Sequence, residues 1–386
     1  MARPEAGAGG AAEAEKPLRV LFALPGLHAV VRGAEVAFES VARELARLPG
    51  FEVALAGAGD AREGTPYRFI HSGRQAREKF EHWPRFVPFR NEYRYEDATF
   101  AAGFFRKYDP AAWDATLTCN FPFTHWLLRR RKSGRRPAHI YVTQNGDWPA
   151  QSNRAEFRWF HCDGLVCINP EYHERNSGCW NSVLIPNGVD PERFTPGPGN
   201  RSELGLPDDA PVVLMVSALI PSKRVEDGIR AAALAAKSEP ELHLLVAGDG
   251  PLRREIEAEG QRLLGERFRR VSVGPDAMPN LYRCADCVLH MSRDEPFGNV
   301  FVEALATGKP IVAHDRNVSR WILEDQARLV MTDEPDLAAR AVVEAVREND
   351  ASASASRRAL AERRFAWSAV AQQYAEFIRQ TAASGS

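Results

Sequence analysis

No stretch of the chain approaches the roughly 18 consecutive apolar residues that a bilayer-crossing helix needs. The first 16 residues, rich in Ala, Gly and Glu, also lack the apolar core of a secretion signal. They are expected to form a disordered tail, and the closing TAASGS is expected to fray. An excess of one charge is missing as well: 50 Lys and Arg face 51 Asp and Glu, for a formal net charge of -1. Such a balance does not suit a protein that wraps nucleic acid. Cysteine is sparse and unpatterned. Of the six, Cys284 and Cys287 lie close together in LYRCADCVLH, but no second pair or histidine follows at zinc-ligand spacing. They read as small apolar residues at a helix-to-strand junction, in a chain suited to a reducing, cytoplasmic compartment.

What is present is enough apolar material for real cores, 44% of 386 residues, and a length that suits two or three domains. LRVLFALPG, residues 18–26, reads as a buried parallel strand feeding a loop. GAEVAFESVARELARL then places Val36, Phe38, Val41, Leu45 and Leu48 near helical spacing, and FEVALAG is strand-like again. This is a βαβ opening, which implies a mainly parallel sheet. Further strands are expected near 114–119, 138–143 and 164–168 and in SVLIP, while 60–110 reads as loops with one or two helices. Pro, Gly and polar residues crowd 191–210, the best boundary candidate. Beyond it PVVLMVSAL starts a second strand-helix series, with helices expected near 224–237, 251–264 and 298–307. The segment FAWSAVAQQYAEFIRQ is amphipathic. The fold class is therefore α/β, two Rossmann-like domains facing across a cleft, where ligands bind outside the C-terminal strand ends. The expected division is a tail over 1–16, a first domain over 17–190, a linker over 191–210, a second domain over 211–365 and a final helix over 366–381.

The stretch SRDEPFGNVFVEALATGKPIVA, residues 292–313, carries the most chemistry. A loop presents Asp294 and Glu295, and Gly298 opens a helix bearing Glu303. Free amides at a helix N-terminus favour a phosphate, and a carboxylate can accept from sugar diols. Acidic residues at a helix start can equally serve as simple caps. From these residues alone both readings stand.

Glu295 and Glu303, with seven residues between them and Pro-Phe-Gly after the first, resemble the E-x7-E motif of the retaining GT-B glycosyltransferases of family 4. IPNGVDPERF at 185–194, LVAGDGPLR at 245–253 and LYRCADCVLHMS at 281–292 match that family's pattern too. The resemblance implies a donor domain over 211–365, in which Glu303 binds the nucleotide ribose. Glu295 then lies beside the donor sugar, and amides around Phe297, Gly298, Asn299 and Val300 receive the diphosphate or sugar. Lys223 resembles the lysine that neutralises the diphosphate, and Arg224 is a second cation beside it. Many relatives carry a Gly-Arg pair where this chain has Ser217 and Ala218. On the first domain, Gly33 resembles part of the family's glycine-rich loop, with His28 and Arg32 as acceptor-side candidates. Asn120 and Asn145 stand where many relatives have histidine, and an amide cannot act as a general acid or base. His125 and Asp147 are the nearby titratable candidates. The implied catalytic set is Glu295, Lys223 and Asn120.

The resemblance further implies a nucleoside diphosphate sugar as co-substrate, UDP-linked first and GDP-linked next, carrying a hexose or N-acetylhexosamine. The acceptor would be a small molecule, a glycan or a lipid-linked group. No metal is required, and no Asp-x-Asp motif of the metal-dependent GT-A class occurs. The basic run Arg129–Arg136 is a candidate for peripheral contact with an anionic membrane, though a charge run is more often a solvated face. The aromatics at 83, 86, 89, 93, 95, 104 and 105 are candidates for an acceptor groove, with core packing as the plain alternative. A monomer or homodimer is expected. The competing readings are an epimerase or phosphorylase-like enzyme on the same scaffold, or a nonenzymatic binder that has lost turnover.

Overall fold

The computed structural model describes residues 16–153, 155–348 and 350–384. The expected tail therefore lies, but for Lys16, outside the described residues. The first half contains β1 (Leu18–Ala23), α1 (Gly33–Leu45), β2 (Phe51–Gly57), β3 (Arg68–His71), α2 (Glu92–Phe104), β4 (Ala115–Thr118), α3 (Phe123–Leu128), β5 (Ala138–Val142), α4 (Trp148–Gln151), β6 (Gly164–Cys167), α5 (Pro170–Asn176) and β7 (Ser182–Leu184). The second contains β8 (Val212–Val216), α6 (Val225–Ala235), β9 (His243–Ala247), α7 (Arg253–Leu264), β10 (Phe268–Val271), α8 (Met278–Cys284), β11 (Cys287–His290), α9 (Asn299–Ala306), β12 (Ile311–His314), α10 (Asn317–Leu323), β13 (Arg328–Val330), α11 (Pro335–Val346), α12 (Ala351–Leu360) and α13 (Trp367–Ser384).

These strands build two parallel sheets, ordered β3-β2-β1-β4-β5-β6-β7 and β10-β9-β8-β11-β12-β13. Helices cover both faces of each sheet, so β5 and β9 are buried along their whole length and, His139 and His243 apart, read as apolar runs. The strand order reverses between β1 and β4 and again between β8 and β11. Those two switch points face the same cleft, the place where open α/β sheets leave room for a ligand.

Several expectations needed correction. Residues 60–110 contain an edge strand, β3, whose Arg68 and His71 are exposed; with only two half-buried apolar residues it offers too little periodicity to read. Val36 is exposed, because α1 turns Phe38, Val41 and Leu45 inward instead. The segment 191–210, expected as the interdomain linker, is tied to the second domain: Arg201 bonds Asp286 at 2.7 Å, Asn200 N–H donates to Asn280 at 2.8 Å, and Phe194 packs on Tyr282. Residues 381–384 do not fray. Helix α13 runs through Ser384, with Thr381 buried.

The chain crosses between domains twice, and the crossings lie side by side. Val189 N–H donates to Phe365 at 2.7 Å and Trp367 N–H donates back to Val189 at 3.2 Å. Helix α13 then packs against α1 and β5 of the first domain.

Candidate active site

Strand β11 supplies the first element of the site. Its Cys287, Val288 and Leu289 are apolar core residues, and His290 is where the strand leaves that core. After it a loop carries Glu295 to Gly298, and α9 begins. Gly298 has φ +87, a conformation that L side chains rarely adopt, and a Cβ there would sit 2.8 Å from the Phe301 ring. No side chain caps the N-terminus of α9. The simple capping alternative is thus not realised: Asp294 is almost fully exposed, 3.7 Å from Arg316, and Glu295 turns elsewhere.

The Glu295 carboxylate meets two partners on one oxygen. Lys223, in the turn after β8, forms an ion pair with Oε2, and His290 Nε2 lies 3.4 Å from the same atom. Burial alone would raise this carboxylate's pKa. Hydrogen bonding and charge from His290, then Lys223, outweigh burial and hold it at about 2. Glu303, one turn into α9, has the opposite setting. Its burial raises the pKa to about 7, against a hydrogen bond from Tyr282 Oη to Oε2 at 2.5 Å. Two carboxylates of one motif are therefore set apart by environment.

Lys223, Glu295, Phe297, Gly298, Asn299, Val300 and Glu303 line one cavity of about 650 Å³ together with Gly33. Val31, Ala34, Gln144, Ile168 and Asn187 complete its first-domain wall. The expected donor residues are thus brought together, with one exception. Arg224 bonds Asp227 and Asp333, each at 2.9 Å, and turns its charge away from the cavity.

The acceptor-side candidates are more scattered. His28 stacks on Phe69 at 4.1 Å and bonds Asp60 and Tyr67, so it braces a loop. Arg32 lies 3.5 Å from Glu96 and 3.7 Å from Glu35. His125 is a core residue: wholly buried, stacked on Phe160 and bonded to His139 at 3.1 Å. Burial holds its pKa well below the ordinary value, which removes it as a proton carrier. Asp147 is bound by Arg175 at 2.9 Å and by Asn176 at 3.0 Å. Asn145 Nδ2 donates to Asn120 Oδ1 at 3.2 Å, and Asn120 Nδ2 donates to buried Asp97 at 3.4 Å.

The remaining expectations concern surfaces. Trp83, Phe89 and Tyr95 join Phe80 around a second hollow of about 550 Å³, whereas Phe104 is core. In the basic run, Lys132 pairs with Asp109 at 2.8 Å and Arg135 with Asp114 at 3.2 Å, and Arg136 pairs with Asp163. Much of its charge is answered within the protein. Cys284 and Cys287 are buried free thiols. Among the described residues no group of three or more His, Cys, Asp or Glu side chains could hold a metal ion, and no helix is long and apolar enough to cross a membrane.

Sequence reasoning missed the residues that join the domains. Asn187, inside IPNGVD, bonds Gln144 and donates to Asn299 at 3.3 Å. Asn169 donates to the Pro296 carbonyl at 2.7 Å, and Arg316 grips both Glu171 oxygens at 2.8 and 2.9 Å. No local pattern marks these, since each cross-domain partner is more than 100 residues away. His290 did leave a signal, as the polar end of an apolar strand.

Two parallel Rossmann-like sheets with a shared cavity at their switch points make a GT-B fold. A solved GT-B neighbour, Anabaena HepE in complex with UDP-glucose, matches with a TM-score of 0.70 at 20% identity, covering 94% of this chain and 100% of that one. Residues 198–363 match the model of the family described as glycosyl transferases group 1. Two curated relatives agree. It is 34% identical over 131 residues to the alpha-D-kanosaminyltransferase of Streptomyces kanamyceticus, across 32% of this chain and 33% of the relative. It is 33% identical over 210 residues to a D-inositol 3-phosphate glycosyltransferase of Thermobispora bispora, across 50% of this chain and 49% of the relative. The matches span a third to a half of those relatives' length.

Proposed function

We propose that this protein is a retaining hexosyltransferase, moving a hexose or N-acetylhexosamine from a nucleoside diphosphate sugar to a small-molecule, glycan or lipid-linked acceptor. One observation carries the reading: Lys223, Glu295, Glu303 and the uncapped start of α9 converge on a single cavity walled by both domains.

In this reading the diphosphate lies at the amides of Gly298, Asn299 and Val300, where the helix dipole and free N–H groups favour negative charge. Lys223 stabilises the leaving nucleoside diphosphate as its charge develops. Glu303 accepts from the ribose, and Glu295, held anionic, orients the sugar hydroxyls and stabilises positive charge at the reacting carbon. Asn120 and Asn145 hydrogen-bond but do not exchange protons, so the acceptor proton passes to the departing phosphate. UDP-linked donors come first and GDP-linked donors next, HepE supplying the precedent for UDP-glucose. The aromatic hollow beside α2 is assigned to an apolar part of the acceptor.

The test is mass-spectrometric detection of donor consumption by the purified protein across UDP-, GDP-, ADP- and TDP-hexoses with a mixed acceptor extract. A glycosylated mass made from one donor, and lost in both Lys223→Ala and Glu295→Ala, is the expected outcome. A folded protein that binds none of the four donors sinks the donor-site assignment. The Asn120–Asn145 pair favours one second reading, a binder without turnover, which would retain a donor and release no product. An epimerase would instead return the donor as its isomer.

A further inference from the structure

Lys223, the expected diphosphate partner, is paired with Glu295. A cation that moves to a phosphate must leave this carboxylate. Glu295 is mostly buried, and an ionised group left there without a partner is unfavourable. It would also lose its fixed direction at the moment a sugar has to be oriented.

His290 removes that difficulty. Its Nε2 lies 3.4 Å from Oε2, the oxygen that Lys223 also engages. A carboxylate only accepts, so Nε2 carries the proton of this contact. The ring is set by strand β11 and by edge-on packing against Phe301 at 4.9 Å, so it does not depend on Lys223 for its place. Both partners occupy Oε2, and among the described residues no hydrogen bond is made to Oε1. Glu295 therefore has one oxygen for its protein partners and one for the cavity it lines. Its Nδ1 is buried with no hydrogen-bond partner, as is Nε2 of His125 in the core; what sets His290 apart is that it lines the cavity and faces the Glu295 carboxylate. The three residues before it are Cys, Val and Leu, so an apolar side chain would continue the strand at no polar cost.

We infer that His290 is the positioning residue that keeps the Glu295 carboxylate fixed while Lys223 transfers to the donor diphosphate. The inference rests on the donor-site reading above and adds to it a division of labour. Lys223 serves the phosphate, Glu295 serves the sugar, and His290 holds Glu295 through the exchange. It acts on the sugar half of the donor and leaves the nucleoside diphosphate half alone.

That separation makes it testable by calorimetry with two probes, UDP and UDP-glucose, repeated with GDP and GDP-glucose. The proteins are the wild type and His290→Leu, His290→Gln and His290→Asn, each checked for folding by thermal unfolding. A Gln amide nitrogen falls where Nε2 was and can still donate to Glu295; an Asn amide stops near the Nδ1 position and cannot reach. The nucleotide alone is expected to bind all four proteins within about twofold. The nucleotide sugar is expected to bind His290→Leu and His290→Asn about tenfold more weakly, with His290→Gln restored to within about threefold of wild type. Turnover should follow the same order, with kcat falling more than KM rises. Equal nucleotide-sugar affinity in His290→Leu overturns the inference, as does rescue by Asn equal to that by Gln, since the ring would then merely fill space. If the wild type turns a donor over while His290 variants are unaffected, the transferase reading survives and this one fails. A wild type that binds neither of these nucleotide sugars, nor the ADP- and TDP-linked donors of the test above, overturns both.

Discussion

At the scale of single residues, the two carboxylates of the motif give opposite responses to pH. Glu303 has an ordinary value of 4.5 and a folded value of about 7, so the native state holds its proton longer than the unfolded chain does. Its contribution to stability is complete below pH 4.5 and is lost as the pH rises through 7. Replacing Glu303 by Gln should therefore raise unfolding stability above pH 7, and chemical denaturation should show no such gain below pH 4.5. Glu295, held at about 2, works the other way: its contribution is present above pH 4.5 and disappears as the pH falls toward 2. A Glu303→Gln curve parallel to wild type across this range would show that the carboxylate is solvated. Gly33 supplies a second test. A Cβ placed there would meet only Asn299 Nδ2, at 3.7 Å, so the fold has room for it. Gly33→Ala should leave thermal stability unchanged yet weaken nucleotide-sugar binding by about tenfold, because the glycine's role is close backbone approach to the ligand. Unchanged affinity would place the diphosphate away from α1.

At the scale of elements, the stretch from β11 to α9 shows why the site could be read at all. Glycine, two glutamates and a proline fall within twelve residues, each required by something local. Gly298 needs its positive φ and the space that Phe301 and Glu295 Cγ leave it. Gly298→Ala should cost about 1–3 kcal/mol in denaturant unfolding and remove donor binding with it. Full stability in that variant would contradict the backbone described here. The same locality made the βαβ opening and the second series from Pro211 readable, since a buried parallel strand and an amphipathic helix each write their period into the sequence. Strand β3 lay beyond such reading. It is four residues long, sits at a sheet edge and is held by pairing with β2, a contact its own sequence does not encode. His125 misled for a related reason. Its surroundings of Phe121, Tyr141, His139 and Phe160 come from three separate segments, and only together do they make it a core residue.

At the scale of the whole molecule, the two domains are held together by few polar contacts. Arg316 grips Glu171 across the cleft and also donates to the carbonyls of Arg293 and Glu295 at 2.9 and 3.3 Å. It joins the contact between the domains to the placement of the Glu295 loop. Glu171→Ala removes the cross-domain pair alone, whereas Arg316→Ala removes both. Small-angle scattering should show a larger radius of gyration for each variant. Turnover should fall about tenfold further in Arg316→Ala than in Glu171→Ala. Equal activities would mean that the loop does not depend on Arg316.

What the sequence by itself determined is the succession of buried strands and helices, the start of a second strand-helix series at Pro211 and the spacing of Glu295 and Glu303, all written in short-range periods and spacings. Tertiary structure decided the rest. It turned Arg224 away from the cavity, enclosed His125, paired Asn120 with Asn145, and brought His290 onto the same carboxylate oxygen as Lys223. The physical reason is that a residue's charge, burial and partners are set by groups tens to hundreds of positions away, and only the packed fold brings those groups within reach.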